Sequence, residues 1–138
     1  MIRLVPDWKW AVMTIMQEAQ GEPYSTKLAV AEVILRRTKM KYKSDGTVAS
    51  TVLWPVQFSG WNAIDDSPKY RERIECAKIM EDDPVVIECL KAWSEAVDGS
   101  STTGRATLYY NPSISNPAWA KTCIETAVID KHRYMREG

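Results

Sequence analysis

Glu18 is the carboxylic acid in this sequence whose setting best suits acid chemistry. It stands three residues before Gly21, in a segment where Trp8, Val12, Ile15 and Ala19 recur at the helical repeat. At about 100° per residue it projects about 20° from Ala11 and about 60° from Ile15, on the border of the apolar stripe. A carboxyl half covered by apolar groups near a loop keeps its proton toward neutral pH. That is the property a general acid needs. The plain alternative is a surface glutamate near a helix end. Glu22, four residues on, is a second carboxylate, but Gly21 and Pro23 interrupt the helix, so the two need not share a face. Its plain alternative is a cap or a salt bridge.

Other chemistries lose ground on residue counts. The 138 residues hold one histidine, His132, and three cysteines, Cys76, Cys89 and Cys123, with no Cys-x-x-Cys pair. A catalytic zinc normally takes three protein ligands, so no metal is expected, nor any other cofactor. One histidine is enough for a serine or cysteine nucleophile, yet no Gly-x-Ser-x-Gly elbow is present. The cysteines read as inert core thiols of a reducing compartment, and His132 reads as a structural histidine or a neighbour of a cleft. Eighteen basic residues balance eighteen acidic ones. Without a net positive field, nucleic acid is not an expected partner.

The elements that must position these groups follow from periodicity. Asp7 is a candidate cap for the first helix, ended by Gly21 and Pro23, and Ser25 a candidate cap for the second. Residues 28–35 are apolar except for Glu32, the pattern of a helix buried on most sides. The basic run Arg36, Arg37, Lys39, Lys41 and Lys43 reads as a solvated helix end, with an anionic envelope polymer as the alternative ligand. Between residues 47 and 66 the helical period fades into a short element and a loop bearing Trp54, Phe58 and Trp61. Ser67-Pro68 and Asp83-Pro84 are helix starts; the second leads into the repeat Val86, Leu90, Trp93, Val97. A small-residue loop over 100–104 precedes a short strand over 106–110. Residues 116–119 form one helical turn, and residues 124–134 are β-like. Together these give one domain over 1–138, an α+β fold of mainly helical character with a few short strands.

Glu18-Ala19-Gln20-Gly21-Glu22-Pro23, followed by the alanine- and valine-rich segment ending in Arg36-Arg37, resembles the opening signature of the spore cortex-lytic enzyme family of SleB-like cell-wall hydrolases. Gln57-Phe58-Ser59 matches its Gln-Phe-Ser block, and Gly104, Ala106 and Tyr109-Tyr110-Asn111-Pro112 match its Gly-Ala and Tyr-Asn-Pro segment. Pro117-x-Trp119 and Ile129-x-x-His132-x-Tyr134 match the closing blocks. The order is preserved over about residues 10 to 135. Three positions depart from the pattern: Arg36 stands where the family commonly has Asn, Arg105 interrupts the Gly-Ala pair, and Asp130 replaces a Gly that tolerates positive φ more readily.

The resemblance implies a lysozyme-like lytic transglycosylase fold acting on peptidoglycan glycan strands, with Glu18 as the acid. Glycosidic cleavage requires a proton for the leaving oxygen and relief of the oxocarbenium-like charge. A transglycosylase dispenses with a second carboxylate, because the C6 hydroxyl of the muramic acid attacks and Glu18, then ionised, takes its proton. Glu22, or Asp65 and Asp66 from the aromatic loop, are the candidates for a water-activating base in a muramidase; turn and cap duty is the alternative for the aspartates. Sugar rings present apolar faces and hydroxyl edges. Gln57, Ser59, Tyr110 and Asn111 are therefore the expected polar binders, and Phe58, Trp61 and Trp119 the expected walls. Trp93 is expected in the core.

The expected activity is cleavage between N-acetylmuramic acid and N-acetylglucosamine; a hydrolytic muramidase or an inactive glycan-binding module are the alternatives. Asp7 and Lys9 break the apolar start, so no secretory signal is expected, and no stretch is long enough for stable membrane insertion. The expectation is a monomeric phage or prophage endolysin, cytoplasmic on synthesis, released to the wall by a separate membrane-permeabilising protein.

Overall fold

The computed structural model describes residues 6–54, 57–58 and 83–138. Ser59, Trp61, Asp65, Asp66, Cys76 and the helix start at Ser67-Pro68 lie outside the described residues. Helix α1 runs Asp7–Ala19 and α2 Tyr24–Met40. A short α3, Val48–Leu53, and a fourth helix, α4, Pro84–Val97, follow. Strand β1, Leu108–Tyr110, leads to a single 3-10 turn, Ala118–Lys121, and then to the hairpin of β2, Cys123–Ile129, and β3, His132–Glu137. The sheet has the order β1-β3-β2, antiparallel throughout, with Tyr109 opposite Tyr134. This is the mainly helical α+β architecture expected.

The core follows from α1. Ala11, Val12, Met13, Thr14, Ile15, Met16 and Ala19 are all buried, because α1 packs on α2, α3 and α4. Helix α2 is buried along Thr26–Ile34, charged residues included. Its Lys27 donates to the Glu22 carbonyl at 2.6 Å and meets Glu88 of α4 at 3.4 Å. Glu32 accepts from Ser100 Oγ, from both Thr102 N and Oγ1, and from Thr103 N, all within 3.0 Å. A buried carboxylate with four donors is satisfied, and it fixes the 100–104 loop against α2.

Several local expectations change. Pro6, not Asp7, occupies the cap of α1, and Asp7 lies in the first turn. Pro23, not Ser25, caps α2, whose fixed φ suits that position. Ser25 and Thr26 hydroxyls instead donate to the Asp130 carboxylate at 2.6 and 2.5 Å. Asp130 holds φ 53° at the hairpin turn, so the backbone conformation expected of a glycine is retained by an aspartate tethered to α2. Asp83 does cap α4, accepting from Val85 N with Pro84 at the first helical position. Its buried face, however, is Val86, Cys89, Ala92, Trp93 and Ala96; Leu90 and Val97 are exposed.

Candidate active site

Glu18 lies in the last turn of α1, half-buried. The chain leaves the helix at once, with Gly21 at φ 81°, a conformation that glycine adopts without a Cβ penalty. Burial raises the Glu18 carboxyl from its ordinary 4.5 to about 7, and the positive charge of Arg37 pulls in the opposite direction. Desolvation wins, so a substantial fraction holds its proton at neutral pH.

Arg37 is the group that the basic run concealed. It is 4% exposed on α2, not part of a solvated end. Its Nε donates to the Thr107 carbonyl at 2.5 Å and its Nη1 reaches Gln57 Oε1 at 3.5 Å. The guanidinium stands 5.0 Å from the Phe58 ring centroid and 5.7 Å from that of Tyr42. Burial lowers its own pKa, while Tyr109, Tyr42 and Glu18 act to raise it.

Tyr109 of β1 completes the set. Its hydroxyl is held far above the ordinary range by burial and then by the Glu18 charge. The ring lies tilted against Tyr134 at 5.5 Å and meets His132 edge-on at 5.7 Å. His132 is half-buried, and burial lowers its pKa, so it supports the Tyr109 ring as a neutral imidazole. Arg37 and Tyr109 both line an open groove of about 660 Å³, together with Gln57, Trp119, Tyr42 and Thr122.

Of the expected binders, Gln57 and Trp119 reach this groove. Phe58 does not form a wall: at 1% exposed it belongs to the core, and its apolar ring lies beneath Arg37. Tyr110 turns to Trp119, edge-on at 5.6 Å, bracing that ring from behind. Asn111 accepts from Ser113 N at 2.9 Å and so closes its own turn. Glu22 lies beyond the helix, its carboxylate 3.9 Å from Lys131; the charge acting on Glu18 is that of Arg37. Trp93 is buried as expected. Cys89 is a buried free thiol, whereas Cys123 is half-buried and lines the groove.

Arg37 and Tyr109 are the two groups to which the sequence assigned no role beside Glu18. Arg37 falls seven residues after Val30 and four after Val33, on the buried face of α2, and that periodicity was the available signal.

A family model described as Cell Wall Hydrolase matches residues 21–135. A spore cortex-lytic enzyme of Bacillus cereus is 32% identical over 120 residues, 86% of this chain and 40% of the relative. One from Halalkalibacterium halodurans is 29% identical over 126 residues, 91% of this chain and 33% of the relative. The chain thus spans about 40% or less of the length of these curated relatives. Among solved structures, the catalytic domain of the germination-specific lytic transglycosylase SleB from Bacillus anthracis superposes with a TM-score of 0.67 at 25% identity, covering 96% of this chain and all of that domain. The Bacillus cereus SleB catalytic domain gives 0.68, also at 25%, over 94% of this chain and 89% of that one. The fold is therefore the lysozyme-like one of the SleB catalytic domain, and the chain belongs to the cell wall hydrolase family.

Proposed function

We propose that this chain is a peptidoglycan lytic transglycosylase that cleaves the bond between N-acetylmuramic acid and N-acetylglucosamine, with Glu18 as acid and then base. The observation that carries this reading is a half-buried carboxyl raised to about 7 and electrostatically coupled to Arg37 and Tyr109, two side chains that line an open groove. Membership of the family and the likeness to SleB support the substrate class. The family match begins at Gly21, so the role of Glu18 stands on its geometry.

Glu18 donates its proton to the bridging oxygen as the bond to the muramic acid C1 breaks, and the N-acetylglucosamine side leaves as an alcohol. The Arg37 charge stabilises the carboxylate so formed. The C6 hydroxyl of the same muramic acid then attacks C1 and its proton passes to Glu18, giving a 1,6-anhydro end and restoring the acid. No water enters the balance. Gln57 offers an amide to sugar substituents and Trp119 an apolar ring face.

Digestion of purified sacculi tests this. Wild type is expected to release anhydro-muramyl products one water lighter than reducing-end products, and Glu18→Gln to lower the rate by about 10³-fold. Exclusively reducing ends would make the enzyme a muramidase, and equal clearing by Glu18→Gln would remove Glu18 from the chemistry. Sacculi bound but uncleaved by wild type would leave a glycan-binding module.

Two finer points rest on the sequence reading. A monomeric state is tested by sedimentation, where a dimer at micromolar concentration contradicts it. Among the described residues no helix is long and apolar enough to cross a membrane. Passage to the wall through a separate membrane-permeabilising protein is proposed from the sequence alone. Wall clearing in cells that lack any such protein contradicts that route.

A further inference from the structure

Two further clefts open on the face of α2 beyond Arg37. One, of about 340 Å³, is lined by Arg36, Tyr42, Arg105, Thr107, Arg136 and Glu137 among others; the second, of about 300 Å³, shares Arg36 and Arg105 and adds Lys39, Glu32 and Ser100. Four cations therefore meet two carboxylates, and both carboxylates are already engaged. Glu32 takes its four donors from the 100–103 loop, and Glu137 accepts from the Tyr42 hydroxyl. Among the described residues none of Arg36, Lys39, Arg105 or Arg136 forms a salt bridge. The buried Nε of Arg36 has no hydrogen-bond partner. Arg105 holds φ 65° while its side chain stays exposed, a backbone conformation that disfavours a side chain and that no packing of Arg105 explains.

The location narrows the ligand. Tyr42 and Glu137 line both the first basic cleft and the 660 Å³ groove. That pair therefore borders both openings, and the basic cleft adjoins the groove along it. A stem-bearing muramic acid carries a lactyl-linked peptide with free carboxylates, and arginine pairs with carboxylates through its planar fork.

We propose that the cleft lined by Arg36, Arg105 and Arg136 binds the carboxylates of the peptide stem of a glycan strand held in the groove, so that the enzyme prefers stem-bearing strands. The proposal rests on the glycan-cleaving reading above. Its test uses glycan strands with stems intact and the same strands stripped by an amidase, which keep only the lactyl carboxylate close to the sugar ring, cut by wild type, by Arg105→Ala/Arg136→Ala, and by Arg105→Lys/Arg136→Lys. Thermal melts establish that the variants fold. The alanine pair is expected to raise KM on stem-bearing strands by about tenfold with kcat little changed and stripped strands unaffected, and the lysine pair to recover part of the loss. Equal KM changes on both substrates, or none on either, overturn stem binding while leaving the glycosidase intact. Competition by a phosphodiester polymer with no difference between the two strands assigns the cleft another occupant and overturns it too. Wild type cutting neither strand overturns both readings.

Discussion

Arg37 and Glu18 oppose each other through a single proton. Burial at the end of α1 holds that proton on the Glu18 carboxyl, and the guanidinium on α2 draws it off; the outcome, about 7, leaves both protonation states populated near neutral pH. The same guanidinium is fixed by the Thr107 carbonyl at 2.5 Å, so the segment entering β1 sets its position relative to the two helices.

Replacing Arg37 by Leu removes the charge that lowers the Glu18 pKa. The alkaline limb of wall clearing is expected to move to higher pH, while the Thr107 carbonyl loses its donor at a stability cost of about 1–3 kcal/mol. A pH–rate profile beside a urea titration reads both effects. An unmoved limb in a folded variant would mean that Arg37 does not govern the acid.

Glu18 also couples folding to pH. Its folded pKa lies above the unfolded value of 4.5, so its contribution is fully present below 4.5 and is lost as pH rises through about 7. The loss is at most about 3 kcal/mol, reduced by partial exposure. Urea unfolding of Glu18→Gln against wild type is expected to show the variant gaining relative stability across that window. Parallel curves from pH 4 to 8 would contradict a raised pKa.

Glu32 ties the 100–104 loop to α2 through four donors. Glu32→Ala strands two backbone N–H groups and two hydroxyls, and a loss of about 3 kcal/mol or more is expected in chemical denaturation. A loss below about 1 kcal/mol would mean that water replaces the carboxylate at little cost.

Gly104 and Gly21 both take positive φ, but they differ in surroundings. A Cβ at Gly104 would come 3.1 Å from Thr126 Cβ, whereas one at Gly21 meets nothing within 4 Å. Alanine at Gly21 is expected to cost only the backbone term, about 1–2 kcal/mol, and alanine at Gly104 measurably more. The reverse order in thermal melts would contradict this placement of β2 against the loop.

The helix ends were legible because Gly21, Pro23 and Asp83-Pro84 punctuate the chain by local rules. Glu18 was legible for the same reason, since its angle to Ala11 and Ile15 needs only one helix. Arg37 was hidden inside a run of cations, where composition masked the repeat from Val30 and Val33. Tyr109 was displaced by its neighbour Tyr110, because which of the two faces Glu18 depends on the pairing of Tyr109 with Tyr134, 25 residues away in sequence. Phe58 was read as a wall from the company it keeps in sequence, yet it supplies the floor under Arg37. Local pattern carries the elements; the site is made by contacts between them.

The most direct measurement is a carbon-13 NMR titration of the glutamate side-chain carboxyls, with Glu18→Gln identifying the resonance of interest. A midpoint near 7 is expected for Glu18. A midpoint near 4.5, in the ordinary carboxylate range, would contradict its assignment as the proton donor.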